Sequence, residues 1–294
     1  MPNQPPITII GAGIAGLTAA CALAQRGFAV TVLERAPELT EAGAGLQISP
    51  NAVRVLDALG LWPQLRAVSI RSERVELNDS LGRPVARLDL ARDPAQDRFR
   101  LVHRARLLAV LEQGARASGV QILLGHEVTD LPDVPLLIGA DGVKSRLRPA
   151  LNGPETPFFT GQTAWRALIP AEADPAPVAQ VFMGPGRHLV SYPLGFGQRN
   201  IVAVLERPDW AEEGWAIPGD PEDLRSAFTR FGGPVPGWLA QVEKLGQWGL
   251  FRHPVATHWQ DGKRAILGDA AHPTLPFLAQ GAVMAIEDAW VLAS

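Results

Sequence analysis

The segment Gly11-Ala12-Gly13-Ile14-Ala15-Gly16 constrains the fold of this chain more than any other. A short β-rich run, Ile7 to Ile10, leads into it, and a helical stretch, Leu17 to Arg26, follows. Gly27 stops that helix, and Ala29 to Leu33 forms a second apolar run ending at Glu34. Each glycine has a physical task in such a strand–helix–strand unit. Gly11 permits the tight turn, Gly13 lets a pyrophosphate approach the backbone, and Gly16 allows the helix to pack closely on the strand. The helix N-terminus presents unpaired N–H groups and a positive dipole end to the phosphates. Glu34 lies 18 residues beyond Gly16, near the spacing expected of a carboxylate that holds ribose hydroxyls. The strand before, the helix after and the acid ending the next strand favour dinucleotide binding over a ligand-free glycine turn.

A second signature lies at the other end of the chain. Ala265-Ile266-Leu267 is an apolar run that ends in Gly268-Asp269. A small-residue turn and a Pro-punctuated loop follow, and Gln280-Gly281-Ala282 opens a helical pattern. A carboxylate delivered by a strand and a nearby helix N-terminus can grip a polar ligand from two sides.

Composition narrows the classes. The chain has 294 residues, 47% of them hydrophobic, enough for one large or two modest cores. A formal net charge of −3 argues against a nucleic-acid surface as the main function. Cys21 is the single cysteine, so no disulfide forms within the chain, and its place in the first helix suits a buried, inert thiol. No apolar run is long enough to suggest a membrane span, and a cytoplasmic protein is expected. His253 and His258 lack partners at metal-ligand spacing, so no metal site is expected.

Between the two signatures the elements are interleaved. Gly43 to Pro50 reads as a small-residue loop leading to a helix near Asn51 to Leu59. Residues 70–90 alternate as a hairpin with a turn at Asp79-Ser80-Leu81-Gly82. Arg104 to Ala117 reads as a helix, and Val120 to Leu124 and Pro135 to Ile138 as strands. The second of these ends in Gly139-Ala140-Asp141-Gly142. Residues 160–205 are strand-rich, and a helix is expected near Pro221 to Phe231. The fold class is therefore α/β, or α+β overall: a split Rossmann-like domain with an inserted antiparallel sheet. The expected division puts 1–70, 98–160 and 250–294 in the dinucleotide domain, and 71–97 and 161–249 in a substrate-binding sheet domain.

Three marks now stand in order: Gly11 to Gly16, Gly139-Ala-Asp-Gly-Val-Lys-Ser-Arg146, and Gly268-Asp-Ala-Ala-His-Pro273. In that order the chain resembles the single-component FAD-dependent aromatic hydroxylases, the class A flavoprotein monooxygenases. Leu278-Ala279-Gln280-Gly281-Ala282 and Ala285-Ile286-Glu287-Asp288-Ala289 are most similar to the salicylate and 3-hydroxybenzoate hydroxylase branch. The resemblance implies FAD as cofactor, NADH or NADPH as electron donor, and dioxygen and a small aromatic molecule as substrates. It implies hydroxylation of a phenolic or aromatic acid through a flavin C4a-hydroperoxide, in a monomer or homodimer.

The resemblance also assigns residues. Gly11, Gly13, Ala15 and Gly16 would cradle the phosphates, Glu34 the adenosine ribose, and Arg35 would lie beside the adenine. Arg104 would reach FAD, and Val128 would offer a backbone contact to adenine. Asp269 would bind the ribityl and pyrophosphate region, with Asp141 supporting FAD and nicotinamide binding. Gly281 and Ala282 would turn N–H groups to the pyrimidine side of the flavin, and Leu46 and Gln47 would line the other side. His188 and Tyr192, four apart in a strand and so on one face, are the candidates for positioning and deprotonating a phenol. Gln280 would complete the site near the reacting carbon. Arg166 reads either as a ligand contact or as a solvated strand arginine. Arg98, Arg100, Arg104 and Arg106 read as a solvated face with one FAD contact. His272 reads as a turn residue.

Two features depart from the family pattern. The link from Val128 to Leu136 is too short for the small β-meander usual there, and the sequence stops at Ser294, within the helix begun at Gln280. They motivate a second reading, a degenerate or truncated FAD-binding protein without hydroxylase activity.

Overall fold

A parallel sheet begins with the first apolar run. Strands buried on both faces read as continuous runs of Ile, Val and Leu, and Ile7–Ile10 is such a run. The computed structural model describes residues 4–39, 45–90, 98–210 and 217–294. β1 (Ile7–Ile10), α1 (Ile14–Gln25) and β2 (Val30–Leu33) form the expected first unit. β3 (Gly45–Ile48), α2 (Pro50–Ala58), α3 (Trp62–Ala67) and β4 (Ser69–Arg71) follow. β5 (Arg74–Asp79) and β6 (Pro84–Asp89) are the hairpin, and β7 (Arg100–His103) runs directly into α4 (Arg104–Ala117). Next come β8 (Gln121–Leu123), β9 (Leu136–Gly139) and α5 (Leu147–Asn152). The middle of the chain supplies β10 (Phe158–Pro170), β11 (Val178–Gly184), β12 (Arg187–Leu194), β13 (Gln198–Glu206), β14 (Ile217–Pro218), α6 (Pro221–Ala227), α7 (Val235–Ala240) and β15 (Gly246–Arg252). β16 (Arg264–Ile266), short 3₁₀ turns at Gly268–Ala270 and Pro276–Leu278, and α8 (Gly281–Leu292) come last.

The strands sort into three sheets. A five-stranded sheet has the order β16-β9-β1-β2-β8. Its pairings are parallel, with Ile10 opposite Leu33 on one side and Gly139 on the other. The strand ends bearing Glu34, Asp141 and Asp269 therefore emerge together at one edge, where ligands of open α/β sheets bind. An eight-stranded sheet, β14-β15-β10-β13-β12-β11-β5-β6, comes from the middle of the chain and the 74–89 hairpin. One of its faces, with Trp165, Phe182, Leu189 and Ala203, packs on Phe228, Trp238 and Leu239 from the α6–α7 segment. The opposite face puts Tyr192, Leu194 and Ala179 against Leu101 of β7.

The third sheet, β3-β7-β4, corrects the sequence reading. The expected loop at Gly43 to Pro50 is a strand over Gly45–Ile48, antiparallel to β7; residues 43 and 44 lie outside the described ones. The run is too short to show a period, and its strand state comes from pairing with β7. Arg100 on β7 is buried. It donates to Ser69 Oγ and to the Ser69 and Arg66 carbonyls, so the basic cluster is only partly a solvated face.

Candidate functional site

The glycine turn shows why its residues are small. Gly11 has a φ of 99°, and a Cβ there would lie 2.5 Å from the Ala140 carbonyl oxygen. A Cβ on Gly16 would fall 1.9 Å from the Gly11 carbonyl oxygen, so helix and turn touch through backbone alone. Gly13 faces open space. Glu34 Oε2 accepts the Ala12 N–H at 2.7 Å, and Oε1 accepts the Ala36 N–H at 2.9 Å. The carboxylate thus ties the second strand to the phosphate turn and keeps lone pairs for a diol. Arg35 is exposed beside it.

The Asp-Gly motif adjoins this turn. Asp141 Oδ2 accepts the Arg146 N–H at 2.7 Å, while Oδ1 is enclosed without a hydrogen-bond partner among the described residues. A buried acceptor of that kind suits a ligand hydroxyl or a bound water. Val128, in the short link, packs on the cluster of Ile10, Leu137 and Ile266.

The last motif is anchored by α8. Asp288 Oδ2 accepts the Gly268 N–H at 2.9 Å and contacts His272 Nε2 at 2.5 Å. The bond to Asp288 holds His272 above its ordinary pKa, against the opposing effect of burial. His272 therefore clamps the motif, in line with the expected turn role. Asp269 faces inward, and burial raises its pKa while Arg104 opposes the rise. A Cβ on Gly281 would approach Thr274 Oγ1 to 2.9 Å and Asp269 Oδ1 to 4.0 Å, so the first turn of α8 lies beside that carboxylate. Arg148 joins the two motifs from behind, donating to the Ala270 and Ala271 carbonyls and to Glu155.

Across from these groups stands the inner face of the large sheet. The register aligns Arg166, Val202 and Val190 across β10, β13 and β12, with His188 and Tyr192 on either side of Val190. The His188 ring lies 5.9 Å from that of Phe277, in the loop before Gln280. Burial lowers the His188 pKa and raises that of Tyr192, which Arg166 opposes. Arg166 is half-buried, and its guanidinium stands 5.1 Å from the Trp248 ring centroid. It is not the solvated strand arginine that the sequence also allowed. A cleft lined by Trp248, Leu250, Asp269, Thr274 and Leu275 opens between sheet and motif. Gly45 fastens the two sides, donating its N–H to Asn200 Oδ1 at 2.8 Å. Strand alternation puts Gln47 on the Gly45 face and turns Leu46 to the main core, so their side chains cannot line one surface together.

The enclosed Asp141 oxygen, the open Gly13 and the Asp269–Arg104 pair sit at one sheet edge and suit a phosphate-bearing, hydroxyl-rich cofactor. Comparison with known proteins agrees. The family model described as FAD binding domain matches residues 4–135 and 133–294. The chain belongs to the FAD-dependent monooxygenase family. A 3-amino-4-hydroxybenzoate 2-monooxygenase of Streptomyces platensis is 36% identical over 99% of this chain and 79% of its own length. A 3-hydroxybenzoate 6-hydroxylase of Aquipseudomonas alcaligenes is 32% identical, covering 98% and 79%. The crystal structure of Klebsiella pneumoniae HpxO complexed with FAD and uric acid superposes with a TM-score of 0.83 at 27% identity, over 98% of this chain and 79% of that one. The two matched family segments meet at 133–135, the short link.

Within this flavoprotein monooxygenase, sequence reasoning missed Arg148, Asn200 and Asp288. Asp288 stood in the Glu287-Asp288-Ala289 motif without an assigned partner. Arg148 and Asn200 gave no local signal, because Ala270, Ala271 and Gly45, the partners that tie them to the site, are 122 to 155 residues away in sequence.

Proposed function

We propose that this monooxygenase hydroxylates a phenolic aromatic acid, with NADH or NADPH as electron donor and dioxygen as co-substrate. One observation carries the reading: half-buried His188 and buried Tyr192 share the sheet face of Arg166, and the His188 ring lies 5.9 Å from that of Phe277 in the loop before Gln280. The names of the hydroxybenzoate-acting relatives support it. The reaction belongs in the cytoplasm, where reduced nicotinamide is regenerated. Residues 1–70, 98–160 and 250–294 form the cofactor domain, and 71–97 and 161–249 the substrate domain.

The side chains divide the work. Gly11, Gly13, Ala15 and Gly16 hold the pyrophosphate at the start of α1, and Glu34 binds the ribose, with Arg35 and the Val128 backbone near the adenine. Asp269 accepts from the ribityl chain, Arg104 balances its charge, and Asp141 steadies the phosphate turn. The N–H groups of Gly281 and Ala282 meet the pyrimidine edge, and from β3 the Gln47 side chain and the Leu46 backbone approach the other side. Bound FAD supplies the redox chemistry that lets dioxygen hydroxylate an electron-rich ring. Burial lowers the His188 pKa and favours its neutral form, which leaves a ring nitrogen free to accept the phenol proton and enrich the ring. Tyr192 keeps its proton, because burial raises its pKa, and donates a hydrogen bond that fixes the ring. Gln280 orients the reacting carbon. Leu275, packed on Trp248 and Leu250, covers the cleft side of the site against water.

The test is a panel of hydroxybenzoates and phenols added to FAD-loaded protein, with NADH and NADPH oxidation followed in parallel. An aromatic acid is expected to accelerate one of them, and His188→Gln to cut that acceleration about 10²-fold with FAD content unchanged. Full acceleration in the variant, or none with any aromatic in the native protein, refutes the reading.

A further inference from the structure

Two enclosed arginines come near each other, Arg104 at the start of α4 and Arg166 on β10. Arg166 is close enough to push the Arg104 pKa down, beyond the effect of burial, while Asp269 pulls it up. Asp269 thus offsets Arg104. Arg166 has no such carboxylate among the described residues. Its Nε is enclosed without a hydrogen-bond acceptor. Burial lowers its pKa, and the one group opposing that is Tyr192, whose own burial keeps it protonated. The Trp248 ring supports the guanidinium, but a ring face stabilises a cation less than a carboxylate does. An enclosed guanidinium without a counter-anion is costly in a fold, and an anionic ligand removes that cost.

Geometry says where the anion would sit. Arg166 occupies the same sheet face as His188 and Tyr192, two strands away. A strand spacing of ~4.8 Å separates the two backbone lines by roughly 10 Å, a span suited to one benzenoid ring hydrogen-bonded at both ends. We propose that Arg166 binds the carboxylate of the aromatic acid and so selects acids over neutral phenols. This assignment rests on the hydroxylase reading above and adds the group that would decide its substrate class.

The probes are 3-hydroxybenzoate, 3-amino-4-hydroxybenzoate and their carboxamides, titrated into FAD-loaded protein and followed by flavin absorbance. The native protein is expected to prefer acid to amide by about 30-fold, as charge-assisted bonds to a carboxylate would give. Arg166→Gln erases that preference while amide binding and FAD content hold. Arg166→Lys keeps part of it, since an ammonium supplies charge without the guanidinium fork. Equal weakening of acid and amide in both variants overturns the assignment, as does an acid preference that survives Arg166→Gln. Equal binding of acids and amides by the native protein overturns Arg166 alone. Binding of neither overturns the aromatic-acid reading and this assignment with it.

Discussion

Asp269 has opposite consequences for stability and for cofactor binding. Burial raises its pKa in the folded protein. A carboxyl with a raised folded pKa contributes stability below its unfolded pKa and loses it as pH rises through the folded value. At neutral pH the protein without cofactor therefore bears the cost of a buried carboxylate. Asp269→Asn is expected to raise the melting temperature of the FAD-free protein at pH 7 while weakening FAD binding at least about tenfold. Thermal melts and FAD titration of the same variant check both. The His272–Asp288 pair has its own pH signature. The His272 pKa is raised when folded, so the contribution of the pair is complete below the ordinary histidine range and fades as pH rises through the shifted value. Asp288→Asn should cost about 3 kcal/mol at pH 6 and less at pH 9, by urea unfolding. A cost independent of pH would mean that the Gly268 N–H bond, rather than the ion pair, carries the effect.

At the scale of elements, β3 is the most instructive. Gly-Leu-Gln-Ile is too short to reveal a strand by period, and its small-residue surroundings read as loop. Its state is set by β7 on one side and by Asn200 and Tyr192 on the other. A Cβ on Gly45 would lie 2.6 Å from Asn200 Cγ and 2.7 Å from Tyr192 Cε2. Gly45→Ala is expected to destabilise the protein by about 2 kcal/mol and, in the FAD-loaded protein, to weaken aromatic-acid binding because Tyr192 must move. Unchanged unfolding and unchanged binding would show that the seam between the two sheets gives way freely. By contrast, α1, α4 and α8 were legible, because glycine punctuation and the Leu107, Leu108, Leu111 stripe mark them locally.

At the scale of the molecule, legibility follows the range of the interactions. Glycine turns and strand-end carboxylates are local signals, and they disclosed the split parallel sheet and the three motifs. The strand order β16-β9-β1 joins segments from opposite ends of the chain, and the motif order alone pointed to it. The buried hub of Arg148 and the inward aim of Arg166 depend on residues brought together only by the fold, so nothing nearby in sequence distinguishes them from surface arginines. In the proposed reaction the large sheet contributes His188, Tyr192 and Arg166 from one face, and the parallel sheet the edge that would hold the cofactor. The most direct measurement is the yield of hydroxylated product per NAD(P)H consumed by the FAD-loaded protein with the hydroxybenzoate panel. Aromatic-stimulated oxidation coupled to a product heavier by one oxygen atom is the expected result. Oxidation unstimulated by any aromatic, with all electrons recovered as hydrogen peroxide, would contradict it.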